Sequence, residues 1–227
     1  MSEYSPLWIS IKTSITATFI VFFIGIAVAW FMASYKGKAR GVLDGILTLP
    51  MVLPPTVVGF ILLLIIGKNF PIGKLLSGFG INLIFTWFAT VIAATVVAFP
   101  LMYRTCVGAF SQIDVNVINA ARTLGVSEWK IFWKVAVPLA WPGIAAGTVL
   151  AFARALGEFG ATIMVAGSIP GETQTIPIAI YFAVVAGETG NAIKWVVLIF
   201  IISLTVMVAS DKWSQKQMFL ASSARRK

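Results

Sequence analysis

The sequence predicts an all-α integral membrane protein with about five transmembrane helices, its N-terminus outside and its C-terminus in the cytoplasm. Three observations lead there. Hydrophobic residues make up 59% of the 227, and the mean hydropathy of +0.95 leaves too little polar surface for a soluble globule. Charged residues are 11%, against about a quarter in a typical soluble protein. Apolar runs near the roughly 20 residues that a spanning helix needs alternate with short basic clusters.

The first span is expected over residues 10–34, closed by the polar, basic Tyr35-Lys36-Gly37-Lys38-Ala39-Arg40. A cleaved signal peptide fits it poorly, because the positive charge follows the apolar run and the run is too long. Further spans are expected over residues 42–66, 83–110, 139–166 and 193–210. Residues 176–186 are apolar but short, which suits a re-entrant or interfacial segment better than a sixth span.

Lysine and arginine in the short loops set the orientation. One side collects Lys36, Lys38, Arg40, Arg104, Arg122, Lys130, Lys134, Lys212, Lys216, Arg225, Arg226 and Lys227. The other collects Lys12, Lys68, Lys74 and Lys194. Twelve against four places residues 111–138 and the C-terminus in the cytoplasm. The net charge of +9 therefore reports topology; a nucleic-acid surface would gather its basic residues on one solvated face.

Catalytic chemistry finds little to work with. The chain has no histidine, and its single cysteine, Cys106, lies in an apolar run, where a buried inert thiol is expected. Gly37-Lys38, Gly67-Lys68 and Gly73-Lys74 lack the following Ser or Thr of a phosphate-binding loop. An intramembrane enzyme would need paired acids, a Ser-Lys or His constellation, or a metal site. Glu158 stands as a lone intramembrane acid, so no cofactor, metal site or catalytic residue is expected.

The cytoplasmic segment reads as two short helices around a glycine. Asp114 caps the first, which runs to Leu124, and Gly125 suits the left-handed position that closes it. Ser127 caps the second, with Glu128 complementing its dipole. Trp129, Ile131, Phe132, Trp133 and Val135 give that helix an apolar belt, and Pro138 and Pro142 mark the turn into the fourth span. Amphipathicity alone leaves two readings open: a helix resting on lipid, or a surface for a protein partner.

Order and spacing add a third kind of information. Ala120-Ala121, Gly125, the following Ile131-Phe132, Pro138 and Pro142-Gly143 resemble the EAA loop of ATP-binding-cassette importer permeases. The resemblance implies a type I importer fold of the MetI-like kind and a coupling loop, comprising Asn119, Ala120, Ala121, Leu124, Gly125, Ser127, Phe132 and Pro138, that docks on a cytoplasmic ATPase. The family's acid is Asn119 here, which would replace a charge contact by an amide hydrogen bond. The run Arg154-Ala155-Leu156-Gly157-Glu158-Phe159-Gly160-Ala161 is similar to oxyanion permeases. Ile169-Pro170-Gly171-Glu172-Thr173-Gln174-Thr175-Ile176-Pro177 resembles their molybdate branch.

Arg154 and Glu158 fall near the middle of the expected fourth span, one turn apart. Each charge there costs about 2.5–3.5 kcal/mol on insertion scales, and an i, i+4 pair lowers that cost. They read either as a structural ion pair or as a brace for an oxyanion route, where a strong cationic site would hold its passenger too tightly. Pro50, Pro54 and Pro55 interrupt the second span, next to Thr56 and Gly59. Pro54, Pro55, Thr56 and Gly59 are gate candidates, with a packing kink as the alternative.

The expectation is one permease domain over residues 1–227 that moves molybdate across the plasma membrane of a prokaryote by alternating access. Five helices are too few to enclose and shield the route, so a homodimer is expected. The resemblance adds two cytoplasmic ATP-binding subunits and an extracytoplasmic molybdate-binding protein as partners. Tungstate or sulfate/thiosulfate are alternative cargoes. A non-transporting scaffold that recruits a cytoplasmic partner is the alternative of another class.

Overall fold

A computed structural model describes residues 4–224; Arg225, Arg226 and Lys227, counted among the cytoplasmic cations, lie outside them. The described residues are mostly helical, with no strand among them. In chain order the helices are α1 (Ser5–Ser34), α2 (Arg40–Val52), α3 (Pro55–Ile66), α4 (Pro71–Gly78), α5 (Trp87–Ser111), α6 (Val115–Thr123), α7 (Glu128–Ile131), a π-helical segment (Phe132–Ala136), α8 (Val137–Leu156), α9 (Gly160–Ala166), α10 (Ile176–Val185) and α11 (Thr189–Ala224).

α5 is the central post, packed between α1 and α8. Small residues let the three approach: Ala89, Ala93, Ala94 and Ala98 of α5 are buried, and Gly25 of α1 admits the Met102 side chain where a Cβ would sit 2.7 Å from its Cγ. Hydroxyls act as glue where lipid offers no hydrogen bonds. Trp87 Nε1 donates to Thr13 Oγ1 at 3.0 Å, and Thr13 and Thr90 share a hydrogen bond of 3.1 Å. The Ile176 backbone N–H donates to Ser10 Oγ at 2.8 Å and ties α10 to α1.

The two charge groups fall at opposite ends of the bundle. Lys12 lies over the Trp87 ring at the start of α5, and Lys194 lies by Tyr4 and Trp195 at the same end. At the other end Trp30 packs on Phe110 and Phe132, next to the basic loop.

Two expected spans are corrected. The second is not one helix: α2 and α3 meet at an angle of 114°. Leu53 and Pro54 are extended, with ψ of 143° and 136°. Pro54 and Pro55 supply no N–H, and each disfavours helix in the residue before it. The pair still crosses the bundle. Asp44 of α2 reaches Arg104 near one end of α5, and Gly67 and Phe70 beyond α3 line a cavity with Phe85 at the other end.

The fourth span begins and ends earlier than expected. A continuous helix runs from Glu128 to Leu156, so the second loop helix is the start of the span. Pro138 and Pro142, expected to mark a turn, lie inside that helix. The π-helical segment explains how Pro138 fits. Val137 N–H bonds back to the Phe132 carbonyl, five residues away. That wider turn makes room for the proline ring near the carbonyl of Lys134. Helix then stops at Leu156, and Gly160–Ala166, expected inside the span, forms the separate α9. Among the described residues, four unbroken helices have spanning length and apolarity, and the bent pair, counted as one span, brings the crossings to five. The apolar α10 has only 10 residues.

Candidate translocation path and coupling loop

The break between α2 and α3 meets the break that separates the end of the fourth span from α9. Gly160 opens α9 directly against the start of α3, where a Cβ on the glycine would lie 2.9 Å from Pro55 Cβ and 3.2 Å from Thr56 N. One turn along, Gly59 faces Ala161 and Met164, and a Cβ there would lie 2.8 Å from each. Pro54, Pro55, Thr56 and Gly59 are thus brought to the same place as the break after Leu156. Pro54, Pro55, Thr56 and Gly157 are exposed in the single chain, whereas Gly59 and Gly160 are buried.

Glu158 sits inside that second break with 2% of its side chain exposed. Its Oε1 accepts the Ala161 backbone N–H at 2.7 Å, so it caps the first turn of α9. Its Oε2 lies 2.9 Å from Arg154 Nη1. The expected i, i+4 pair is present, but at a helix end instead of mid-helix. Arg154 is 30% exposed along its side chain. With Glu158 beside it, the junction presents little bare positive charge to an anion.

The expected lone acid has a companion. Asp44 lies within the expected second span, its Oδ1 accepting from Tyr103 Oη at 2.8 Å and its Oδ2 3.0 Å from Arg104 Nη2. A carboxylate inside an apolar run was the available signal; averaged hydropathy over residues 42–66 conceals it.

The loop forms as expected in most parts. Asp114 Oδ1 accepts the Asn116 N–H at 2.9 Å, and Gly125 has φ +73°. Ser127 holds the cap position of α7, but its side chain makes no capping bond. Glu128 instead receives Arg122, whose Nε lies 2.6 Å from Oε1 and whose Nη2 lies 3.1 Å from Oε2. That hydrogen bond, more than the charge itself, raises the Arg122 pKa. Arg122 Nη1 also donates to Asn119 Oδ1 at 3.3 Å, so one guanidinium ties α6 to α7 across Gly125.

The loop residues do not share one face. Asn119, Ala120, Leu124, Gly125, Ser127 and Pro138 are exposed, Leu124 at 82%. Ala121 packs partly on the core. Phe132, grouped with the docking residues, is 7% exposed and rests on Trp30 and Phe110. It anchors the loop to the bundle. Its aromatic neighbours Trp129 and Trp133 remain outside.

Residues 22–218 match the family model for the binding-protein-dependent transport system inner membrane component. The chain is 47% identical over 207 residues to the putative molybdenum transport system permease protein YvgM of Bacillus subtilis, covering 90% of each. It is 42% identical over 210 residues to the molybdenum transport system permease protein ModB of Escherichia coli K12, covering 91% of this chain and 92% of the relative. Its fold is similar to a chain of the inward-facing MetNI methionine ABC transporter, with a TM-score of 0.74 at 19% identity, covering 95% of this chain and 99% of that one.

Proposed function

This chain belongs to the family of binding-protein-dependent transport system inner membrane components, and from that premise we propose that it carries molybdate inward by alternating access. It is the permease of an ABC-type importer, a membrane component and not an enzyme. The molybdate reading rests on similarity to permeases named for molybdenum over nine-tenths of the chain.

One observation carries the path: the exposed break at Pro54, Pro55 and Thr56 set against the break at Gly157. Irregular backbone at membrane depth is tolerated where protein buries it or water lines it, and not against lipid. A second copy of the chain covers this junction in the proposed assembly, with the route between the two copies. Near-neutral pairing of Arg154 with Glu158 suits a dianion that must leave as readily as it enters.

The loop at Asn119 to Gly125 docks on a cytoplasmic ATP-binding subunit, one for each of two permease copies. An extracytoplasmic binding protein delivers the oxyanion. ATP-driven closure of the ATPases moves the loops together and opens the outer side; hydrolysis resets it.

Deleting the gene in a host without a second importer and measuring uptake at limiting molybdate tests the proposal. Lost uptake, restored by the wild-type chain, is the expected result; unchanged uptake defeats it in favour of a scaffold. The cargo is settled by the partner binding protein's affinities for molybdate, tungstate and sulfate. Tight sulfate binding without molybdate binding overturns the molybdate assignment.

A further inference from the structure

α2 is poorly held by apolar packing. It rests mainly on α5, and Thr48 is its one buried residue among those described. That hydroxyl donates within its own helix, to the Asp44 carbonyl at 2.7 Å. Leu43 and Leu47 are only partly buried. A helix with so little buried surface has little reason to keep one position in a bilayer, where apolar side chains gain nothing by leaving lipid.

Asp44 supplies what the packing lacks. Two successive residues of α5 reach its carboxylate from the side of the central post, Tyr103 Oη at 2.8 Å and Arg104 Nη2 at 3.0 Å. Tyr103 is fixed, with 1% exposure and its ring stacked on Phe99 at 5.9 Å. The Arg104 side chain is 55% exposed, so the charge pair alone would be weak. The charge-assisted bond from a buried phenol gives the tie its direction. The Asp44 tie lies near the start of α2, and the helix ends at the break nine residues on, about 14 Å at 1.5 Å per residue.

We propose that Asp44 is a positioning residue that clamps α2 to Tyr103 and Arg104 and thereby seats the Pro54–Pro55 break against Gly160. Released, α2 swings about the break and the junction with α9 loosens. The consequence for transport rests on the importer reading given above; the clamp itself does not.

Hydrogen exchange on the full-length chain in phospholipid nanodiscs, together with uptake in cells, tests this. In Asp44→Ala, amide exchange across residues 40–59 is expected to rise by about tenfold or more, while α1 and α8 keep wild-type protection. Asp44→Asn, which retains an acceptor for Tyr103, is expected to show a smaller rise. Tyr103→Phe, which removes the donor and keeps the ring, loosens the same α2 segment from another helix, a result that a purely local defect at Asp44 does not produce. Molybdate uptake is expected to fall in the order of the exchange changes. Wild-type exchange over residues 40–59 in Asp44→Ala, or loosening spread evenly through the chain, overturns the clamp. Full uptake by a variant with a loosened α2 overturns its role at the break. Absence of uptake by the wild-type chain defeats the importer reading, while the exchange result still decides the clamp.

Discussion

Gly160 stands so close to Pro55 that a Cβ on the glycine would lie 2.9 Å from the proline's Cβ. The two residues open separate short helices, and their contact joins the second crossing to the fourth. Nothing larger than hydrogen fits between them without displacing backbone.

Substitution at this contact separates the breaks. Gly160→Val is expected to lower the thermal stability of the purified chain, with overpacking of this kind costing about 1–3 kcal/mol. Gly59→Val meets Ala161 Cα and Met164 Cβ and is expected to act in the same direction. Both are expected to reduce molybdate uptake strongly while the chain still inserts. A Gly160→Val chain with wild-type melting and uptake would show that the junction is not tight in the membrane.

Removing the two halves of the intramembrane ion pair is expected to give unequal results. Arg154→Gln leaves the carboxylate of Glu158, 2% exposed, without its cation. Breaking a buried pair in this way costs about 3–5 kcal/mol, and partial solvent access at Arg154 places this case at the low end. Glu158→Gln keeps an acceptor for the Ala161 N–H and leaves a partly exposed arginine, a milder change. Thermal melting of the two single variants and the double variant checks the order. Equal losses, or a double variant worse than Arg154→Gln, would mean that the pair is not organised around Glu158.

Much of this junction was legible in the chain, and its limits were physical. Pro54, Pro55 and Gly59 announce a disturbed helix because proline removes donors and glycine removes bulk. The i, i+4 spacing of Arg154 and Glu158 announces a pair. What faces Gly59 and Gly160 depends on residues about a hundred positions away, and no local pattern carries that. The break after Leu156 was missed because residues 153–166 stay apolar on average despite Arg154 and Glu158, and hydropathy does not distinguish one helix from two. The reverse error occurred at Pro138. A proline looks like a boundary in sequence, yet a π-helical turn absorbs it and the helix continues. A motif places Phe132 within the coupling loop by position, but its burial against Trp30 depends on a residue about a hundred positions away that the motif does not contain.

Gly125 isolates backbone conformation from packing. Its φ is +73° and a Cβ there would meet nothing within 4 Å, so only strain opposes a side chain. Gly125→Val is expected to abolish stimulation of the partner ATPase and leave the permease in the membrane. Gly125→Asn, which tolerates the left-handed region, is expected to keep much of it. Full stimulation with valine would show that this turn does not set the coupling surface.

Arg122 joins both loop helices, receiving no burial for doing so. Its pair with Glu128 is exposed on both sides, 45% and 60%, so Arg122→Gln is expected to leave melting nearly unchanged. Coupling is a different matter, because the same guanidinium also holds Asn119 and fixes the angle across Gly125. ATPase stimulation is therefore expected to fall in Arg122→Gln, and the wild-type value to weaken toward it as salt screens the pair. Asn119→Glu places a carboxylate where the amide oxygen already meets Arg122, and is expected to preserve coupling. ATPase assays across ionic strength decide between the two roles of Asn119. If Asn119→Glu uncouples while Arg122→Gln does not, Asn119 acts on the partner directly and the guanidinium bridge is incidental.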